Sequence, residues 1–283
     1  MDSSIDPRPS PIAGTWYPGR KDSLSQAISA YLAKASKPEI SGEVLGMIVP
    51  HAGYVYSGQT AATAFKAIEG TSPQLVILLS PQHAAMRDGI FTTGHSAYRT
   101  PLGDVPVSRT AQEKLAQACD AQGIPLFEIR NDQEHSLEIE LPFLQTILTQ
   151  PFEILPVMVR DRSPIRLKLL GESLAEITRE QPCVLVASTD LSHFYPLRVA
   201  QQLDRRMLAE METLSPEGVL QAEQEGSGFA CGAGGVAAFL WAVKALGANR
   251  AVLTRYSTSA EQTGDASSVV GYGALVVTRE AQA

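Results

Sequence analysis

Residues 44–58 read VLGMIVPHAGYVYSG, and the fold is decided by how this stretch is read. Val44-Leu45-Gly46-Met47-Ile48-Val49 is an apolar run with the length and composition of a buried strand. It stops at Pro50 and delivers His51, followed by a glycine turn and the tyrosines Tyr54 and Tyr56. In an open α/β sheet, residues just past the carboxyl end of a strand line the ligand crevice. A histidine there can bind a metal ion or move a proton, provided other segments bring it companions.

Working outward, residues 23–35 place Leu24, Ala27, Ile28, Tyr31 and Leu32 at helical spacing, and 59–68 reads as a helix packed back on the strand. The unit then recurs. Gln74-Leu75-Val76-Ile77-Leu78-Leu79 is a buried strand ending at Ser80-Pro81-Gln82-His83. Cys183-Val184-Leu185-Val186-Ala187 is another, ending at Ser188-Thr189-Asp190-Leu191-Ser192-His193. Residues 88–107, with the turn Pro101-Leu102-Gly103-Asp104, predict a β excursion, and 110–121 a helix. Over 134–148, Leu137, Leu141, Leu144 and Leu148 share one helical face, and Pro142 inside that span predicts a kink.

A strand at 152–159 and a helix at 165–179 complete the middle of the chain. Helices at 197–212, 215–225 and 232–246 precede strands at 250–257 and 269–278. This alternation predicts an α/β fold: a mostly parallel central sheet with helices on both faces. We expect a single domain over residues 1–283, with the polar, proline-rich residues 1–10 as a loose tail.

Composition narrows the function. The chain has 283 residues, 44% hydrophobic and 19% charged, which fits an ordinary globular protein with a sizeable core. A formal net charge of -7 argues against a nucleic-acid partner, which would need clustered Lys and Arg. The N-terminus has neither a basic nor an apolar segment of the secretory kind, and the apolar stretch 232–246 is too short to span a bilayer. No membrane association and a cytoplasmic location are the expectations. Cys119, Cys183 and Cys231 are odd in number and far apart, which is no disulfide framework.

Three of the five histidines, His51, His83 and His193, follow predicted buried strands within a few residues. Each alone is explained by a hydrogen-bonded structural role, but strand ends converge, so the three together point to one crevice. His135 opens the predicted helix at 134, where the dipole would keep its imidazole neutral; a capping role explains it equally well. His95 reads as structural. Asp190 is a carboxylate that orients His193, a second ligand, or simply an N-cap. Cys231 stands before Gly232-Ala233-Gly234-Gly235, at a predicted helix N-terminus that favours thiolate. Cys119 and Cys183 read as small core residues.

The ordered motifs AGTWYPG at 13–19, VPHAGYVYSG at 49–58, SPQH at 80–83 and YRTPLGDVPV at 98–107 resemble the Memo family. So do EHSLEIELPFLQ at 134–145, STDLSHF at 188–194, FACGAGG at 229–235 and SVVGYGALVV at 268–277. Prokaryotic members are called AmmeMemoRadiSam system protein B. The family is similar in fold to class III extradiol dioxygenases, which hold non-haem iron with two histidines and a glutamate.

The resemblance implies His51 and His83 as metal ligands, Cys231 as the third ligand, and His193 as the acid/base group. His135 and Asp190 would complete the pocket. A thiolate in place of the carboxylate softens the site, so copper or zinc suits it as well as iron. Ala84 stands where some members carry a further histidine. Three functions follow as expectations. The first is a metal-dependent redox enzyme or oxygenase acting on a small molecule. The second is a non-catalytic metal- or ligand-binding signalling or adaptor protein, its ligand a small molecule or peptide, working with AMMECR-type and radical-SAM partners. The third is a zinc-dependent hydrolase.

Overall fold

The computed structural model describes residues 6–281. A two-residue strand β1 (Pro7–Arg8) leads into α1 (Lys21–Lys34), β2 (Glu43–Val49), α2 (Tyr54–Phe65) and β3 (Leu75–Pro81). Three short strands follow, β4 (Ile90–Thr93), β5 (Ala97–Thr100) and β6 (Gly103–Pro106), then α3 (Arg109–Gln122) and β7 (Leu126–Ile129). Next come α4 (Leu141–Ile147), β8 (Glu153–Val159), α5 (Pro164–Arg179), β9 (Cys183–Ser188) and β10 (His193–Tyr195). The chain continues through α6 (Leu197–Glu212), α7 (Pro216–Glu225), α8 (Ala233–Ala245), β11 (Arg250–Thr258), the single turn α9 (Ala260–Thr263) and β12 (Val269–Arg279).

The main sheet runs β10-β12-β2-β9-β3-β8-β4-β7, with β11 also paired to β12. Its centre, β2-β9-β3-β8, is parallel. Antiparallel pairs flank it, β12 on β2 at one side and β4 on β8 at the other, so the α/β domain has a parallel heart in a mixed sheet. Central parallel strands are covered on both faces and therefore read as unbroken apolar runs; every residue of β3 is buried. Alternation still sorts them. Val76 and Leu78 face one core with Tyr54, Phe65 and Phe143, while Leu75, Ile77 and Leu79 face the other with Phe239 and Trp241. No Cβ would fit at Gly46, where it would lie 2.5 Å from the Leu185 carbonyl oxygen and 2.6 Å from the Phe239 ring.

Two expectations are corrected. Residues 6–10 are not a loose tail; residues 1–5 lie outside the described residues. β1 pairs with β5, and Arg8 is 1% exposed, with 2.7 Å bonds to both Asp132 and Glu138. Buried carboxylates demand a partner, and the N-terminal segment supplies it. The helix expected over 134–148 begins only at Leu141, after a 3₁₀ turn at Glu138–Glu140. Pro142 lies in its first turn, where a missing N–H costs nothing, so it starts the helix instead of kinking it. Among the described residues no helix is long and apolar enough to cross a membrane.

Candidate metal centre

The parallel register carries the ends of β2, β3 and β9 to one place. The Thr189 N–H donates to the Val49 carbonyl at 2.8 Å, and Asp190 Oδ1 accepts the His51 backbone N–H at 2.8 Å. His51 is therefore held just past β2, 2% exposed. Its Nδ1 lies 3.0 Å from Ser188 Oγ and its Nε2 3.2 Å from Cys231 Sγ. Cys231 reaches it from the loop before α8, where Gly232 passes so close to β9 that a Cβ would sit 2.7 Å from the Ser188 carbonyl.

His83 follows β3. Its backbone N–H donates to Glu134 Oε2 at 2.7 Å, and its ring Nδ1 lies 3.0 Å from Glu134 Oε1. A carboxylate only accepts, so Nδ1 carries the hydrogen and Nε2 presents a lone pair. One donor atom each from His51, His83 and Cys231 lies within 4.8 Å of the others. Donors around a single tetrahedral ion sit roughly 3.3–3.6 Å apart, so small side-chain adjustments would close the set. Two imidazoles with locked outer nitrogens, plus one sulfur, fit a transition-metal ion.

The remaining candidates gather around these three. His135 stacks on His83 with ring centroids 4.9 Å apart, and Trp16 covers it at 4.1 Å. His193 Nδ1 lies 2.8 Å from the Leu191 carbonyl, which leaves its Nε2 bare. A cavity of about 480 Å³ is lined by Trp16, Tyr56 and Tyr272 together with His51, His83, His135, His193 and Asp190. A larger open groove of about 950 Å³ between α1, α2 and β11 is lined by Lys34, Lys37 and Arg255 and has no histidine or cysteine in its wall.

Burial, then the neighbouring His135 and His83, drives His51 well below the ordinary imidazole value. Burial first, with the His83 and Arg8 charges behind it, takes His135 down to about 4 against the pull of Glu134, and burial also lowers His193. His83 goes the other way: burial opposes its charge, but the Glu134 hydrogen bond and charge raise it. Burial would raise Glu134 in turn, yet His83 and the N–H groups around it hold that carboxyl far below the usual range. Burial lifts Asp190 to about 7.

Three readings of the sequence change here. His135 is not at a helix start, so burial and not a dipole keeps it neutral. Cys231 was expected to favour thiolate, but burial first and Asp190 second push its thiol up. Asp190 makes no bond to the His193 ring; it braces the His51 backbone. Tyr54 is core, its hydroxyl donating to the Ile139 carbonyl at 2.8 Å, whereas Tyr56 is 41% exposed at the rim. His95 lies apart, its Nε2 accepting from the Asn131 N–H at 3.2 Å.

Glu134, Ser188, Trp16 and Tyr272 were not singled out from the sequence. The first two sit beside candidates that were, which is the only signal they offered.

Comparison with known proteins finds relatives that span nearly the whole chain. A family model described as "Memo-like protein" matches residues 8–276. A MEMO1 family protein of Nitrosopumilus maritimus is 35% identical over 268 residues, covering 93% of this chain and 97% of that one. One from Methanopyrus kandleri is 33% identical over 278 residues, covering 95% and 98%, and one from Aquifex aeolicus 33% over 265 residues, covering 94% and 97%. Among solved structures, the uncharacterized protein JW3007 from Escherichia coli K12 shares the fold with a TM-score of 0.54 at 12% identity, covering 83% of this chain and 100% of that one. The chain belongs to the Memo family.

Proposed function

We propose that His51 Nε2, His83 Nε2 and Cys231 Sγ hold one transition-metal ion, iron foremost and copper or zinc as alternatives. The adjoining cavity would then serve a redox or oxygenase reaction on a small phenolic molecule. One observation carries this reading: both imidazoles have their outer nitrogens engaged, by Ser188 and Glu134, while their inner nitrogens and the sulfur converge. When bound, such an ion supplies Lewis acidity and, for iron or copper, one-electron chemistry.

The chain's own groups do the rest. His193, neutral and bare at Nε2, accepts a proton from a substrate hydroxyl. His135 and Trp16, their rings tilted 44° to one another, wall one side of the cavity for an aromatic ring, and Tyr56 narrows the mouth against water. The test is metal content and electron paramagnetic resonance of anaerobically prepared protein, against Cys231→Ser, followed by oxygen uptake with catechols, quinols and thiols. Unchanged metal content in Cys231→Ser would end the ligand assignment. Absence of oxygen uptake across the panel by the iron-loaded protein would end the oxygenase reading.

A second reading is supported by the rim. Trp16, Tyr56 and Phe194 are 37%, 41% and 75% exposed, and Phe194 is held at a φ of 65° beside His193. Exposed aromatics around a cavity suit a docking partner, so the alternative is a metal-stabilised binding protein, with AMMECR-type and radical-SAM proteins as partners to try. A stoichiometric pull-down that survives in wild type and is lost in His51→Ala would favour it.

A further inference from the structure

Ser188 Oγ has three polar neighbours: the Ser136 carbonyl at 2.6 Å, Glu140 Oε1 at 2.7 Å and His51 Nδ1 at 3.0 Å. A hydroxyl owns one hydrogen and two lone pairs. The carbonyl has no hydrogen to give, so the 2.6 Å contact takes the one from Ser188. Both remaining contacts must then point hydrogens at Ser188. One comes from His51 Nδ1–H. The other has to come from Glu140.

We infer that Glu140 is a buried, neutral carboxylic acid whose O–H, through Ser188, fixes His51 as the Nδ1–H tautomer with Nε2 bare. Glu140 is a positioning residue, two hydrogen bonds removed from the candidate ligand atom. Were it ionised, a single hydrogen would have to serve two oxygens on different sides of Ser188, leaving one O···O contact near 2.7 Å without a bond.

The surroundings agree. Glu140 is 1% exposed, and among the described residues no cation compensates it: Arg8, the guanidinium of this region, is spent on Glu138 and Asp132. Asp190 is the charge that acts on it and has the same sign, and the Tyr54 hydroxyl is committed to the Ile139 carbonyl. Burial, with Asp190 behind it, raises this carboxyl well above its ordinary value. A charged residue type has thus been kept where only its hydrogen is used. The proton inventory stands without any metal; only its purpose rests on the metal reading.

Infrared difference spectra of wild type minus Glu140→Gln, on metal-free protein at about pH 8, decide the protonation. We expect a carboxylic-acid carbonyl band that shifts in heavy water and is absent from the variant. Loss of ionised-carboxylate bands in its place overturns the inference. NMR of the imidazole nitrogens should show His51 protonated at Nδ1, and the opposite tautomer also overturns it.

Zinc competition then tests the positioning role. Glu140→Gln, whose amide N–H replaces the acid hydrogen, should bind like wild type, and Glu140→Met about 10–100-fold more weakly. Wild-type affinity in a folded Glu140→Met removes the positioning role. Should Glu140→Met fail to fold, the infrared and NMR results still decide. If wild type binds no metal but shows the acid band, the proposed function fails and the protonation inference holds.

Discussion

Replacing Glu134 by glutamine tests the least conspicuous part of the site. Oε1 accepts from the backbone N–H groups of His135 at 2.9 Å and Ser136 at 3.0 Å and from Ser136 Oγ at 2.7 Å, while Oε2 accepts the His83 N–H at 2.7 Å. Every one of these partners donates. An amide placed here keeps one accepting oxygen and turns an NH2 group toward N–H groups it cannot satisfy. In the better orientation the Oε1 bonds survive and the NH2 meets the His83 N–H. One charge-assisted bond is lost and one buried donor is orphaned, at about 1.5–3 kcal/mol for the first and 1–3 for the second.

Partial relaxation brings the expected loss to roughly 2–4 kcal/mol. Urea unfolding of the metal-free protein measures it. The weaker acceptor for His83 Nδ1–H should also lower zinc affinity about 10–100-fold, read by competition with a chromophoric chelator. An unchanged urea midpoint would refute the bond accounting. A large stability loss with unchanged zinc affinity would confine Glu134 to holding the loop and remove it from the site's chemistry.

Further outcomes are expected. Cys231→Ser should abolish the thiolate-to-cobalt charge-transfer band of the cobalt-substituted protein; persistence of the band would place the sulfur elsewhere. The Cys231 thiol is pushed up by burial and Asp190, so metal binding must expel its proton, and affinity should rise about tenfold per pH unit through neutrality. Below the raised value of His83 a second proton must leave and the slope should steepen; a flat profile would contradict both. Arg8→Ala leaves the buried Glu138 and the half-buried Asp132 without their cation and should cost about 3–5 kcal/mol in urea unfolding, whereas a cost near zero would show the cluster rearranges freely.

How much could be read from the chain depended on the physics behind each feature. β2, β3 and β9 were visible because strands covered on both faces need unbroken apolar runs. Their ends carried His51, His83 and Asp190 into one crevice by topology alone. The leucine spacing over 137–148 was real, since Leu137, Leu141 and Leu144 are all buried, but spacing could not say where the helix began. Pro142 was the better guide, as a first-turn residue.

Arg8 was invisible for a different reason. A polar, proline-rich opening looks the same whether it is solvated or pinned by carboxylates more than a hundred positions away. Cys231 illustrates competing effects: a helix N-terminus does lower a thiol near its first turn, but burial next to Asp190 outweighs it. Glu134 serves through the convergence of N–H groups upon it, which no residue spacing encodes.

The antiparallel pairing of β12 with β2 has a consequence for how the protein is made. β2 leaves the ribosome early, yet the flank that β12 will occupy stays an open row of backbone donors and acceptors until residues 269–279 have been synthesised. Such a flank is an invitation to pair with the wrong chain. For the earlier part of that interval, until residue 231 has been added, His51 and His83 stand without Cys231, so the nascent chain offers two imidazoles and no sulfur to an ion. An ion that needs all three donors would thereby find them together only once β9 and the segment carrying Cys231 have joined β2 and β3.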